Sequence, residues 1–322
     1  VKIGIFATGG TIAMTSRNGV PGIVPTSDSS TLLEGTSIDD GICLQRIDMF
    51  AKPSASITLH DVQDLADRID QEFAEGLDGA VITHGTDTLE ETAFALAFLL
   101  ERAAPVVITG AMRGIDASGA DGPANLTAAV KVAACPDARG HGPLVLFGDE
   151  IHAAYLVRKV HSSRLHAFSS DPFGPIGEMV EGQPSFSLTP LFSPRRLRVG
   201  TLIPPIPVLQ VGLDLEPETV EAFATGKFGG VILAGVGGGH VSARAMDAIE
   251  QLGQQLPVVI TSRVGMGETL RASYGYEGSE IDLERRGIIN GGRLRPAQAR
   301  ILLQILLSNG NWSGSFKQAM DG

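Results

Sequence analysis

No stretch of this 322-residue chain stays apolar for the roughly 18–20 residues that a membrane-spanning helix needs, so the sequence excludes a protein built on such spans. Basic residues are outnumbered, 25 Lys and Arg against 36 Asp and Glu. The formal charge of −11 and the lack of any long basic run argue against a nucleic-acid partner, because phosphate binding draws on clustered Lys and Arg. Only two cysteines are present, Cys43 and Cys135, too few and too far apart for a zinc framework or a disulfide scaffold. We read both as buried thiols, with a single bridge as the alternative. Clusters of His, Cys and carboxylates at ligand spacing are missing too, so no metal and no cofactor is expected.

What remains is a globular composition, 43% hydrophobic and 19% charged, long enough for two ordinary domains. The chain opens on a strand pattern, VKIGIFA, without the basic start, apolar stretch and small-residue cleavage site of a secretory signal. The expectation is a cytoplasmic protein, with a signal already removed as the alternative.

Runs rich in Val and Ile at 3–7, 79–83, 106–109 and 144–147 alternate with helical patterns, which predicts a parallel sheet covered by helices on both faces. Val62, Leu65, Ile69 and Phe73 recur every three or four residues and Gly76 stands past the end, the mark of an amphipathic helix. Thr88 and Glu91 form a capping-box pattern that opens a helix over 89–100. Gly122-Pro123 starts another, after the loop GAMRGIDASGAD. Periodicity fails from about 183 to 207, where six prolines occur. We therefore expect a larger N-terminal α/β domain over 1–185, a linker over 186–207 and a smaller C-terminal α/β domain over 208–322. The latter should have strands near 208–210, 231–234 and 258–261 and helices beginning near Pro217, Ser242 and Pro296.

In open α/β sheets ligands bind beyond the carboxyl ends of the strands. Two Gly-Thr turns stand there: ATGGTIAM with Gly10 and Thr11, and HGTDTLEET with Gly85, Thr86 and Asp87. Glycines let the backbone approach a ligand and leave N–H groups to bind a developing oxyanion, while a threonine hydroxyl becomes a nucleophile only beside a base. Neither turn has the glycine spacing of a dinucleotide fingerprint or a phosphate loop. Lys159 is the third candidate, since a partly buried ammonium beside Asp87 could help to move a proton from Thr86. His60, His84 and His240 read equally as loop histidines with satisfied hydrogen bonds and as catalytic groups.

Four segments in order, ATGGTIA, ITHGTDTLEET, GAMRGIDASGADGPANL and AQARILLQ, resemble the bacterial-type L-asparaginases over nearly the whole chain. The resemblance implies an amidohydrolase that cleaves the side-chain amide of asparagine through an acyl-enzyme. Thr11 would be the nucleophile, and Thr86, Asp87 and Lys159 a second triad. It also implies that Ser54 holds the substrate carboxylate, with Ser56 as fallback. Glu280, with Glu277 as alternative, would reach a neighbouring subunit's site to hold the substrate's amino group in a homotetramer of two intimate dimers. Residues 14–30, rich in Gly, Ser and Pro, would be a lid.

The chain departs from that family at three points. The tyrosine usual on the lid is replaced by Ile23 or Val24, with Tyr155, Tyr274 and Tyr276 the only tyrosines in the chain. His240 stands where many relatives carry asparagine, and Ala55 where Gln or an acid is usual. Dual glutaminase-asparaginase activity and a noncatalytic amino-acid-binding protein are the competing readings.

Overall fold

The computed structural model describes residues 1–10, 12, 14–16, 23–25, 38, 40–101, 104–188 and 194–320. They form two compact units, Val1–Arg196 and Leu197–Gly322.

In the first unit the strands are β1 (Lys2–Ala7), β2 (Met14–Ser16), β3 (Ile23–Pro25), β4 (Cys43–Asp48), β5 (Gly79–Thr83), β6 (Val106–Thr109), β7 (Pro143–Phe147), β8 (Glu150–Ala153), β9 (Arg158–Lys159), β10 (Phe168–Ser169), β11 (Gly177–Val180) and β12 (Gln183–Phe186). The helices are α1 (Leu59–Ala74), α2 (Leu89–Leu99) and α3 (Gly122–Ala134). Eight strands make one sheet in the order β12-β11-β8-β7-β6-β5-β1-β4. Strands β4, β1, β5, β6 and β7 run parallel, whereas β8, β11 and β12 pair antiparallel.

The sheet is thus mixed, and the expectation of a parallel sheet holds for five of its strands. Two of its three antiparallel pairings, β7 with β8 and β11 with β12, come from two-residue turns. Gly148 and Asp149 both take positive φ, 58° and 69°, as do Glu181 and Gly182 at 50° and 74°. Two successive positive φ values are what a tight hairpin needs, so each pair folds the chain straight back. The second hairpin also makes β12 out of residues expected to begin the irregular stretch at 183. β4 had no signal of its own: CLQRID is half exposed at the sheet edge and lacks the Val/Ile run that marks its neighbours.

The central strands are buried on both faces, which is why they read as continuous apolar runs. Ile3, Ile5, Val81 and Val107 join a cluster with Leu126, Ala129 and Ala133 of α3. Alternation sends Phe6, Ile82 and Ile108 to the opposite face, where they are equally buried. α2 opens at Thr88, but not with a capping box, since the Thr88 side chain makes no cap hydrogen bond. The reciprocal box belongs to α1: Thr58 Oγ1 accepts from the Asp61 amide, and Asp61 Oδ2 accepts from the Thr58 amide.

In the second unit β13 (Val208–Gln210), β14 (Val231–Gly235), β15 (Val258–Ser262) and β16 (Ile289–Asn290) form a parallel sheet in that order. Its helices are α4 (Pro217–Glu221), α5 (Met246–Gly253), α6 (Glu280–Arg285), α7 (Pro296–Ser308) and α8 (Lys317–Met320). A single 3-10 turn, Ala243–Ala245, precedes α5 after Ser242. Val231, Leu233, Val258 and Ile260 pack on Met246, Ile249 and Leu252. Both cysteines are free, Cys43 exposed and Cys135 half-buried, so neither is the buried thiol expected; Cys43 surfaces because it opens the edge strand β4.

Candidate active site

β1 and β5 are adjacent and end level, with Ala7 paired to Thr83, so the two Gly-Thr turns leave the sheet side by side. The first threonine of ATGGT is structural: Thr8 Oγ1 donates to the Thr83 carbonyl at 2.7 Å. Gly10 follows with φ of 89°, a conformation that L side chains rarely adopt. A Cβ there would stand 2.4 Å from the Gly85 nitrogen, so the two turns touch through their backbones. A Cβ on Gly85 would in turn meet Ser54 Oγ at 2.7 Å. Gly10, Gly85 and Ser54 are therefore stacked with no room for a methyl group between them.

Ser54 is buried on the 3-10 turn Ser54–Ser56, whereas Ser56 and Ala55 are exposed. The Thr88 hydroxyl donates to the Ser54 carbonyl at 2.8 Å, which ties this turn to the start of α2. That tether is the use to which Thr88 is put in place of capping.

Lys159, on β9, reaches the same place. Its Nζ donates to Thr86 Oγ1 at 2.9 Å and to Asp87 Oδ1 at 2.7 Å. The lysine side chain is only 14% exposed and that of Asp87 72%, so the ion pair has one foot in water. Because the ammonium donates into the Thr86 oxygen, the Thr86 hydroxyl proton is left to point elsewhere, as a proton relay requires. The Lys159 amide is itself held by Glu90 Oε2 at 2.7 Å, from the first turn of α2.

Three further residues support the site, and His84 is among the histidines that the sequence left open between a satisfied loop role and a catalytic one. His84 is fully buried between the β5 end and α2, with Nδ1 2.7 Å from the Gly85 carbonyl and Nε2 3.0 Å from Thr92 Oγ1. A carbonyl can only accept, so Nδ1 carries the proton and Thr92 donates to Nε2. Burial pushes the imidazole down to about 4, against a small opposing pull from the Gly85 carbonyl. His84 is thus a neutral brace for the Gly85-Thr86 turn. Asp121 accepts from the Met112 and Arg113 amides, and Asn125 Nδ2 donates to the Gly110 carbonyl at 3.0 Å, shaping the loop after β6. Gly110 lies beside this site, since a Cβ on it would come 3.4 Å from Thr86 Cγ2.

Thr11 and most of the expected lid lie outside the described residues. Of the lid, β2 and β3 pair antiparallel, with Ser16 opposite Ile23 and Thr15 opposite Val24.

In the second unit Glu280 opens α6 and is buried, 2% exposed. Its Oε1 accepts the Ser273 and Tyr274 amides, both at 2.6 Å, and its Oε2 meets His240 Nε2 at 2.9 Å. Burial works to raise this carboxyl, but the backbone N–H groups and His240 together hold it below the ordinary carboxylate value. Glu277 is spent otherwise, in an ion pair with Arg286 at 3.0 Å. His240 reaches Tyr276 through Nδ1 at 2.8 Å. His60 is exposed on α1. Among the described residues no group of three or more His, Cys, Asp or Glu could hold a metal ion, and no helix is long and apolar enough to cross a membrane.

Against known proteins, residues 2–192 match the family model described as asparaginase, N-terminal, and residues 206–320 that of the glutaminase/asparaginase C-terminal domain. The chain is 33% identical to the L-asparaginase of Bacillus licheniformis over 96% of each chain. It is 31% identical to the glutaminase-asparaginase of Acinetobacter glutaminasificans over 95% of each. The crystal structure of the probable cytoplasmic L-asparaginase of Campylobacter jejuni superposes with a TM-score of 0.86 at 31% identity, covering 99% of this chain and 98% of that one.

Proposed function

Because the chain belongs to the asparaginase family through both of its units, we propose that it hydrolyses the side-chain amide of L-asparagine to L-aspartate and ammonia. Thr11 Oγ attacks the amide carbon, backbone N–H groups of the Gly10 and Gly85 turns receive the developing oxyanion, and the proton given up by Thr11 passes to the nitrogen, which leaves as ammonia. Water then adds to the threonyl ester: its proton passes to the Thr86 oxygen, which the Lys159 ammonium orients, while the Thr86 hydroxyl proton passes to Thr11 Oγ and aspartate departs. Ser54 takes the substrate carboxylate. Glu280, contributed by a neighbouring chain, takes the α-ammonium group.

The observation that carries this reading is the Lys159 ammonium within hydrogen-bond reach of both Thr86 and Asp87, on the turn that abuts Gly10. Ammonia release from L-asparagine tests it. The wild type should release ammonia and Thr11→Ala should not; equal rates in the two overturn the mechanism, and no release by the wild type favours an amino-acid-binding protein.

Dual activity on L-glutamine is the second reading, supported by the naming of the Acinetobacter relative and by the unusual Ala55 and His240. The same assay with L-glutamine decides it. A pair of chains sharing their sites follows from the role given to Glu280, and the family resemblance makes the assembly a homotetramer of two such dimers: mixing inactive Thr11→Ala with inactive Glu280→Ala chains should restore part of the activity, and a fully active monomer on sedimentation would refute it. A cytoplasmic location is in keeping with the naming of the Campylobacter neighbour; a Haemophilus influenzae relative at 31% identity is named periplasmic.

A further inference from the structure

The contacts around the first unit's site close into a ring. Gly10 abuts Gly85 and Gly85 abuts Ser54; the remaining arc, from Ser54 back to the first Gly turn, is made by the residues between β4 and α1. The Met49 amide donates to the Ala7 carbonyl at 3.0 Å, and the Lys52 amide to the Thr8 carbonyl at 3.3 Å. Gly9 lies directly on Lys52: its φ is 104°, and a Cβ on it would stand 2.7 Å from the Lys52 carbonyl oxygen. Pro53 and then Ser54 follow. Lys52 is therefore where the arc passes from the turn before Thr11 to the buried serine.

A single carboxylate holds both ends of the segment that presents Ser54. Asp61, in the first turn of α1, accepts from Lys52 Nζ through Oδ1 at 2.7 Å, and through Oδ2 from the Thr58 amide at 2.8 Å and the Thr58 hydroxyl at 2.7 Å. Lys52 and Thr58 flank the turn Ser54–Ser56, so Asp61 staples that turn from either side. The Lys52 ammonium also stands over the Phe50 ring, 5.4 Å from its centroid. Burial works to raise the Asp61 carboxyl, but the hydrogen bonds from Lys52 and Thr58 hold it below the ordinary carboxylate value. The capping box of α1 uses only Thr58 and Asp61. The bond from Lys52 is additional to it and acts on the arc before the helix.

We propose that Lys52, through Asp61, is a positioning residue for Ser54: it fixes the serine against the Gly9-Gly10 turn and so sets how tightly the substrate carboxylate is held. The inference rests on the reading of Ser54 as partner of that carboxylate. The carboxylate is bound alike before and during cleavage of the amide, which lies at the other end of the substrate, so the effect falls on KM and leaves kcat nearly unchanged.

The test is a cycle of variants read in two ways: KM for ammonia release from L-asparagine, and inhibition by β-alaninamide, which keeps the amide and the amino group but has no carboxylate. Lys52→Met should raise KM for L-asparagine by about two- to fivefold, the range of a partly exposed ion pair, with the inhibition constant of β-alaninamide unmoved. Asp61→Asn keeps an acceptor for the Thr58 amide and should do the same, whereas Lys52→Arg, which keeps the charge, should keep the wild-type KM. Ser54→Ala should raise KM by about 10- to 100-fold, as loss of a hydrogen bond to a charged group does. In that background Lys52→Met should add nothing, because its effect passes through the serine. An equal rise from Lys52→Met with and without the serine, or an equal weakening of β-alaninamide, would show a general loosening of the site and overturns the proposal. If Ser54→Ala leaves KM at its wild-type value, the reading of Ser54 fails and the role of Lys52 with it; if Ser54→Ala raises KM and Lys52→Met does not, the role of Lys52 alone fails.

Discussion

Each unit holds a charge at its candidate site, largely out of water, and the two are held by opposite means. In the first unit the charge is the Lys159 ammonium, whose recorded partners are side-chain oxygens, the Thr86 hydroxyl and the Asp87 carboxylate. In the second it is the Glu280 carboxylate, held by the amides of Ser273 and Tyr274 and by one imidazole. A cation needs acceptors, which here are particular side chains, so it leaves a pattern in the sequence. An anion can be held by N–H groups, which nearly every residue owns, and its site leaves almost none.

The largest effects should come from the cation's side. Thr86→Val preserves shape and removes the hydroxyl, and kcat should fall by ~10³–10⁶, as for other members of a nucleophile's activating set. Lys159→Met should cost ~10²–10⁴, the usual worth of proton transfer. Steady-state ammonia release measures both, with circular dichroism to show the fold retained. If Lys159→Met is harmless, the lysine is only a structural strut and the contrast between the units collapses. Glu280→Gln should differ in kind, raising KM for L-asparagine by about 10- to 100-fold through the loss of one charge-assisted interaction and moving kcat little.

A third prediction concerns His84, the neutral brace beneath the cation site. Its folded value near 4 lies below the ordinary 6.5, so between those values an unfolded chain binds a proton that the native one refuses. Stability is therefore complete above about pH 6.5 and declines as pH falls toward 4. Thermal unfolding across that window should show a steep acid loss in the wild type and a shallower one in His84→Gln; parallel curves would remove His84 from the account. The smallest effect belongs to the lid. If the missing tyrosine costs this chain a proton relay, Ile23→Tyr should raise kcat by about tenfold or less, a fraction of a full general acid–base contribution, with KM unchanged. A large fall in kcat for Tyr274→Phe or Tyr276→Phe with no gain at position 23 would show that another tyrosine serves the nucleophile.

The same contrast accounts for what was legible before the structure. Thr86, Asp87 and Lys159 could be paired from their types and from the family likeness, and the structure brings them together. Four of the five parallel strands were legible because burial on both faces makes Val/Ile runs, and the half-exposed edge strand β4 was not. The hairpins at 148–149 and 181–182 were not, because Gly-Asp and Glu-Gly are weaker signals than the dipeptides usual in such turns. Capping was assigned to Thr88 on spacing alone, and spacing cannot foresee that its hydroxyl would be drawn to the Ser54 carbonyl, 34 residues earlier. His84 was legible only as a histidine of either role, and the Ser273 and Tyr274 amides act through main-chain geometry and so had no pattern to display.

The bond from the Lys159 amide to Glu90 has a kinetic meaning. Glu90 sits in the first turn of α2, directly after the turn that carries Thr86 and Asp87. Thr86 and Asp87 thus adjoin one helix end, to which the Lys159 amide on β9 is also tied, so that a local opening of that end loosens the alignment of all three. In a deuterium-exchange experiment the Lys159 amide should lose protection in step with the first turn of α2, and Glu90→Ala should quicken exchange at Lys159 before the rest of the sheet responds. The lifetime of the aligned triad would then be the lifetime of one helical turn.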